Sequence, residues 1–368
     1  MRKWRIIVLA AAVVLIVAGV YLYNIFYGAN NFADAEKKSF FVSKGESWEQ
    51  VVDSLAAQGI IRNEEWFNLV TNVYSRGKQT HVGKYEFKSG ISNAELYNNL
   101  RLGRGIVQIS VTLQEGRRAV TFSRAFARAL GTDTVRFMNL VNDETYARSL
   151  GVEAKNLEGY LSPNTYSFNW QTDESEIVRR LTHQTEKVFD DSLRQRAQEL
   201  NMSVHEVLTL ASIIEGEAYL DDERAVISGV YHNRLRKGMK LEADPTIQFI
   251  IGNGPRRILF SDLAVVHPYN TYMNYGLPPG PISNPREASI IAALYPAKHS
   301  FLFFVSNGKG GHWFSKDYLG HMNNVRKFRR ERAAQLRNQN LSRALRWQSF
   351  ETPAPLSEVI PVEVKSYF

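Results

Sequence analysis

The sequence predicts an α+β protein in three parts: one membrane-crossing helix, a small α+β unit and a larger mixed α+β unit. Three observations carry this. An uncharged apolar run follows Arg2, Lys3 and Arg5; a strand–helix–helix–strand pattern begins at Phe40; and beyond Gly116 long helical stretches alternate with Pro- and aromatic-rich loops. The expected divisions are 1–28 (cytoplasmic N-terminus and transmembrane anchor), 29–39 (linker), 40–115 (small unit), 116–340 (larger unit) and 341–368 (tail).

Ile6 to Tyr23 is almost wholly apolar, and Ile25, Phe26 and Tyr27 continue the run. Roughly 20 residues rising ~1.5 Å each match a hydrocarbon core about 30 Å thick. The cations precede the run and the first acid, Asp34, follows it. The positive-inside rule then leaves the short N-terminus in the cytoplasm and everything beyond Gly28 outside, with Tyr21, Tyr23 and Tyr27 at the outer interface. The alternative is a cleaved signal peptide, whose apolar core would be about 7–15 residues and end in a small-residue cleavage site. This run is longer and ends in tyrosines, so a retained single-pass anchor in contact with membrane lipid is expected.

ANNFADAEKKS (29–39) reads as a polar linker. Phe40–Val42 reads as a strand. Ser47 and Gln50 have the spacing of a capping box, and the helix they open puts Trp48, Val51, Val52, Leu55 and Ala56 on one apolar stripe. A second helix is expected over Asn63–Tyr74, a strand over Val82–Phe87, a helix over Ser92–Leu102 and a strand over Val107–Leu113. In the larger unit helices are expected at 120–130, 133–141, 174–200 and through 203–238. Residues 241–296 are loop-rich, and Leu302–Ser306 and His312–Ser315 read as strands joined by NGKGG. A basic helix over Val325–Arg346 precedes a Pro-rich tail.

The 368 residues carry a net charge of +8 and no cysteine. The absence of cysteine excludes thiol nucleophiles, CxxC zinc sites, iron–sulfur clusters and disulfides. The positive charge suits nucleic acid, anionic lipid or an anionic polymer such as a cell-wall glycan, and does not choose among them. Export of the main body argues against nucleic acid as partner. No HExxH, GxSxG or Walker pattern occurs, and His232, His267, His299, His312 and His321 are scattered, so neither a metal nor a cofactor is expected.

The candidate chemistry lies on an apolar helix. In VHEVLTLASIIEGEA, Glu215 shares a stripe with Leu208, Ala211 and Ala218, where desolvation favours the protonated carboxyl and makes a general acid available near neutral pH. Glu217, above Ile213 and Leu210, makes a similar claim, on nearly the opposite side of the helix. The plainer alternative is that either acid pairs with an arginine or caps a loop. Gly216 between them gives close packing or room for a ligand. The segment 241–285 holds rigid turns (DPT, HPYNTY, GLPPGPI) studded with aromatics and amides, the mixture a sugar site needs, although prolines more commonly serve turns alone.

Several long segments in one order resemble the YceG-like endolytic murein transglycosylases, the MltG family. They are LEGYLSPNTYSF (157–168), ASIIEGEA (211–218), SGVYHNRLRKGMKLEADPTIQF (228–249), YNTYMNYGLPPGPISNP (269–285), ALYPAKHSFLFFV (293–305) and GKGGHWFS (308–315). The resemblance implies a LysM-like small unit and an enzyme that cuts peptidoglycan glycan strands internally, without water. Carried onto ASIIEGEA, the family's catalytic glutamate falls on Glu215. That residue would protonate the oxygen leaving the MurNAc–GlcNAc β-1,4 bond, then take the proton of the MurNAc 6-hydroxyl as a 1,6-anhydro ring closes. Glu158, Asp244, Asn270 and Tyr272 are expected to position substrate, with His312 and Phe314 near the site. Asn233 stands with them, chiefly as scaffold together with Arg234. The resemblance further implies a bacterial inner membrane, a periplasmic catalytic unit, and peptidoglycan synthases as partners. Two rivals remain: a non-catalytic glycan-binding scaffold, and a hydrolase in which Asp244 or Glu217 guides water.

Overall fold

The computed structural model describes residues 2–74, 80–252 and 256–351. Helix α1 (Arg2–Tyr27) is exposed along nearly its whole length, and its Lys3–Tyr27 stretch is long and apolar enough to cross a membrane. At its far end Ile25 is buried.

The small unit is built from two antiparallel ribbons and three helices. Strands β1 (Ala29–Asn30), β2 (Lys37–Val42), β3 (Gly83–Lys88) and β4 (Ile91–Ser92) pair as β1 with β4 and β2 with β3. Alternation along β2 sends Phe40 and Val42 into the core and leaves Phe41 outside, where its ring meets Trp170 of the larger unit at 4.7 Å. Helix α2 (Trp48–Ala57) opens at the Ser47–Gln50 capping box and buries Trp48, Val51, Val52 and Leu55. Phe67 of α3 (Glu64–Tyr74) and Leu96 and Leu100 of α4 (Asn93–Leu102) fill the same core, and Val70 of α3 is also buried.

The stretch read as a linker belongs to this unit. Asn30 is buried, its amide donating to the carbonyl of Ile91 at 3.0 Å and to Asn93 Oδ1 at 2.9 Å, and Phe32 enters the core. Its polar composition concealed a satisfied buried network, the form in which an interior accepts polar groups. The last expected strand is also reassigned. Strand β5 (Ile109–Thr112) pairs with β6 (Thr165–Phe168) of the larger unit, while the Tyr85–Ile106 bridge and a Val107 N–H to Lys84 carbonyl bond (2.8 Å) tie it back. Val111 and Leu113 accordingly pack in the core of the larger unit.

The larger unit begins with α5 (Ala119–Leu130), α6 (Thr134–Val141) and α7 (Glu144–Ser149). The helix expected over 174–200 is two, α8 (Glu174–Val188) and α9 (Asp191–Glu199), because Asp190 caps a new start through the N–H of Leu193 at 2.8 Å. Then come α10 (Val204–Glu217) and α11 (Arg224–Arg236). Three short helices interrupt the stretch read as loops: α12 (Asp244–Ile251), α13 (Phe260–Leu263) and α14 (Glu287–Leu294). Pro245 sits in the first turn of α12, where its missing N–H costs nothing. Strands β7 (Phe303–Ser306) and β8 (His312–Ser315) form the expected hairpin. Helix α15 (Tyr318–Glu351) starts earlier than its basic run, and residues 352–368, with most of the Pro-rich tail, lie outside the described residues.

Helix α10 organises this unit. Val207 through Ile214 are all buried, because α9, α11, α12 and α14 pack around it. Such a helix carries no polar stripe in its middle, so its functional groups collect at the C-terminal end.

Candidate active site

That end opens on a cleft of about 600 Å³, walled by the start of α5, the last turn of α10 and the helix α12. Glu217, the last residue of α10, lines it. Tyr231 of α11 donates its hydroxyl to Glu217 Oε1 at 3.0 Å, and the backbone N–H of Asp244 also donates to this carboxyl. Burial pushes the Glu217 pKa up to about 8, and the negative charge of Asp244 adds to the rise. The two hydrogen bonds pull it down without cancelling the desolvation.

Asp244 lines the same cleft and accepts the hydroxyl of Tyr272 at 2.5 Å. Burial, then the bond and charge of Asp244, raise Tyr272 above the ordinary phenol range; burial and the charge of Glu217 do the same for Tyr231. Both therefore stay protonated as donors. Gly216 lines the cleft and also permits close packing. A Cβ there would lie 2.7 Å from Pro245 Cβ, so the glycine lets the first turn of α12 approach α10 and brings Asp244 to Glu217.

Glu215 is not in the lining of this cleft, although its Cγ packs beside Gly116, which is. Its side chain is 6% exposed and bridges three elements. Arg224 of α11 lies 3.5 Å from Oε2, the Arg286 Nε lies 3.3 Å from Oε1, and Ser289 of α14 donates its hydroxyl at 2.8 Å. Arg224, itself 2% exposed, continues to Asp221 at 3.0 Å. This buried network clamps the ends of α10, α11 and α14 together, and it occupies both oxygens of Glu215.

The remaining expected residues divide between cleft and scaffold. Glu158 accepts from the N–H of Ala119 at 3.0 Å and from Asn284 at 2.8 Å, capping α5 behind the cleft wall; burial raises its pKa to about 7. Asn270 is fully buried, its amide spent on the carbonyls of Leu263 and Val265, so it shapes the loop that presents Tyr272. Asn233 donates to the carbonyls of His299 and Phe301, and Arg234 to those of Leu302, Lys240 and Leu241. Both are scaffold, and neither Asn233 nor Asn270 keeps a free amide hydrogen pair for substrate. His312 pairs with Glu223 at 2.7 Å, and Phe314 packs with Phe304, whose ring meets Tyr231 edge-on at 6.0 Å. The hairpin thus backs Tyr231 instead of lining the cleft.

The wall opposite Glu217 was missed from sequence. Arg117, Arg118 and Arg124 line it, and Arg118 lies 4.5 Å over the ring of Phe249. The signal was the Arg–Arg pair at the start of a helix, which in isolation reads as solvated charge.

Fold and cleft together set a cleft-lining carboxyl of raised pKa on an α+β body with a membrane-length helix before it. The chain belongs to the YceG-like family, whose profile matches residues 40–327. It is 31% identical over 327 residues to the endolytic murein transglycosylase of Bacillus subtilis (strain 168), covering 83% of this chain and 89% of that protein. The protein of the same name from Streptococcus pneumoniae (strain D39) is 26% identical over 79% of this chain and 59% of its own length. A crystal structure of a YceG-like protein from Listeria monocytogenes superposes with a TM-score of 0.57 at 29% identity, covering 78% of this chain and 98% of that one.

Proposed function

We propose that this protein is a membrane-anchored endolytic murein transglycosylase and that its acid/base is Glu217 rather than Glu215. One observation carries the assignment: Glu217 stands on the cleft wall beside Asp244 with a pKa near 8, whereas Glu215 is tied into a buried arginine network. The names of the relatives support the substrate, peptidoglycan glycan.

In the reaction, the protonated Glu217 donates to the O4 leaving with GlcNAc as the bond to MurNAc C1 breaks. The resulting carboxylate, crowded by Asp244, is a strong base and takes the proton of the MurNAc 6-hydroxyl. O6 closes on C1 to give the 1,6-anhydro ring, and Glu217 is again protonated. No water is consumed. Tyr231 and Tyr272 hold the two carboxyls apart in orientation, and the arginine wall and Phe249 offer a face for the sugar chain.

The β2–α2–α3–β3 order supports a LysM-like reading of the small unit, to which β1, β4 and α4 are added. With helix α1 read as a retained anchor, the cations Arg2, Lys3 and Arg5 before it support a periplasmic cleft, next to nascent strands and the synthases that make them. There the enzyme trims or terminates new glycan. A detached, soluble form that restored normal glycan lengths in cells lacking the protein would remove the case for proximity.

Asp244 beside Glu217 also fits a hydrolase that guides water. Digestion of purified glycan in ¹⁸O-labelled water separates the two. The lyase yields anhydro ends without ¹⁸O; reducing ends carrying ¹⁸O would make the enzyme a hydrolase.

A further inference from the structure

We infer that the outer face of α3 docks into the outer-leaflet interface of the lipid bilayer, so that the small unit rides on the membrane in a fixed pose. The inference rests on reading α1 as a bilayer-spanning helix. Trp66, Leu69 and Val73 are spaced three and four apart and therefore share one face of α3. Leu69 is 40% and Val73 61% exposed, an unusual outlay for aliphatic side chains on an 11-residue helix whose other face is core. Glu65 and Asn72 flank this stripe on the side away from the core and can reach the headgroups.

What covers the stripe follows from its continuity with α1. The ring of Trp66 meets Tyr21 edge-on at 5.9 Å, and Tyr74 lies 6.0 Å from Phe26. Tyr21 precedes the end of α1 by six residues, about 9 Å at a rise of ~1.5 Å per residue. Helix α3 is therefore packed alongside the last turns of the membrane-length helix, at the level where tryptophan and tyrosine favour the interface. The junction is not a swivel. Asn93 donates to the carbonyl of Ile25 at 2.8 Å, Asn30 bonds Asn93, and Ile25 is buried against the small unit. If α1 crosses the bilayer, the stripe cannot avoid its surface. Contacts onward to the larger unit, Phe41 on Trp170 and the Lys44 N–H on Gln171 Oε1 at 2.6 Å, carry the fixed pose toward the cleft.

The chain has no cysteine, so single cysteines can be introduced and labelled with a nitroxide. Full-length Leu69→Cys, Val73→Cys, Val14→Cys and Val135→Cys, reconstituted in phosphatidylethanolamine–phosphatidylglycerol vesicles, are compared by EPR power saturation with oxygen and a water-soluble nickel complex. Val14 reports the span of α1, and Val135, 66% exposed on α6, reports water. The expected result is deep-lipid accessibility at position 14, interfacial accessibility at 69 and 73 with oxygen favoured several-fold over position 135, and aqueous accessibility at 135. Water-like labels at 69 and 73 with position 14 in lipid would overturn the docking and leave the anchor standing. A water-like label at position 14 would overturn the anchor and the docking with it. Dipolar broadening at 69 and 73 with both relaxants excluded would put a second copy on the face, and would also overturn the inference.

Discussion

Replacing Glu217 by Gln tests the buried-acid assignment through stability, before any substrate is added. An ordinary glutamate titrates near 4.5, and Glu217 in the fold near 8. Between these values the folded protein holds a proton that the unfolded chain has released. The stability tied to this group is complete below about pH 4.5 and is lost as pH rises through about 8. The full interval corresponds to about 5 kcal/mol at about 1.4 kcal/mol per pH unit, an upper bound because Glu217 borders the cleft and solvent screens part of it; about 2–5 kcal/mol is expected. The Glu217→Gln protein has no such proton to lose. Urea unfolding of the detergent-solubilised parent and variant, followed by circular dichroism from pH 4.5 to 9, should show the variant gaining that amount on the parent as pH rises. Glu158, raised to about 7 for the same reason, is present in both and cancels in the difference. A difference that stays flat with pH would refute the reasoning, because Glu217 would then titrate as an exposed carboxyl.

Four further outcomes follow from the same geometry. Glu215→Ala leaves Arg224, 2% exposed, with only the solvent-exposed Asp221 as its carboxylate partner, and should cost up to about 3–5 kcal/mol in urea unfolding at pH 7. Gly216→Ala puts a Cβ 2.7 Å from Pro245 and should shift α12 with Asp244, cutting kcat at least about tenfold in a strand-cleavage assay while helix propensity offsets part of the stability loss. Asp244→Asn removes a charge that raises Glu217, so the alkaline limb of kcat/KM against pH should move below about 8. Tyr231→Phe removes a hydrogen bond that lowers Glu217, so the same limb should move the other way.

Much of the fold was legible because it rests on local signals. The capping box at Ser47, the stripe of α2, the glycine-turned hairpin of β7 and β8 and the membrane-length run each need only neighbours in sequence. The polar stretch 29–39 was misread because its partners, Ile91 and Asn93, are sixty residues away. Strand β5 fell to the wrong unit for the same reason, since its partner β6 lies beyond three helices. At the site, the helix pattern offered two glutamates and the family resemblance put the acid on Glu215, but sequence could not see which one met arginines. Arg224 and Arg286 claim Glu215 from α11 and from the turn before α14, and Tyr231 and Asp244 meet Glu217. Asn233 and Asn270 looked like sugar-reading amides, yet their donors go to backbone carbonyls that appear only once the loops are folded.

The most direct test of the central claim is mass spectrometry of purified glycan strands after incubation with the parent, Glu217→Gln and Glu215→Gln, each confirmed folded by circular dichroism. The account predicts internal cuts with anhydro-MurNAc ends from the parent, none from Glu217→Gln, and residual anhydro ends from whatever folded fraction Glu215→Gln retains. Anhydro ends from Glu217→Gln, with none from a folded Glu215→Gln, would contradict it and return the chemistry to Glu215.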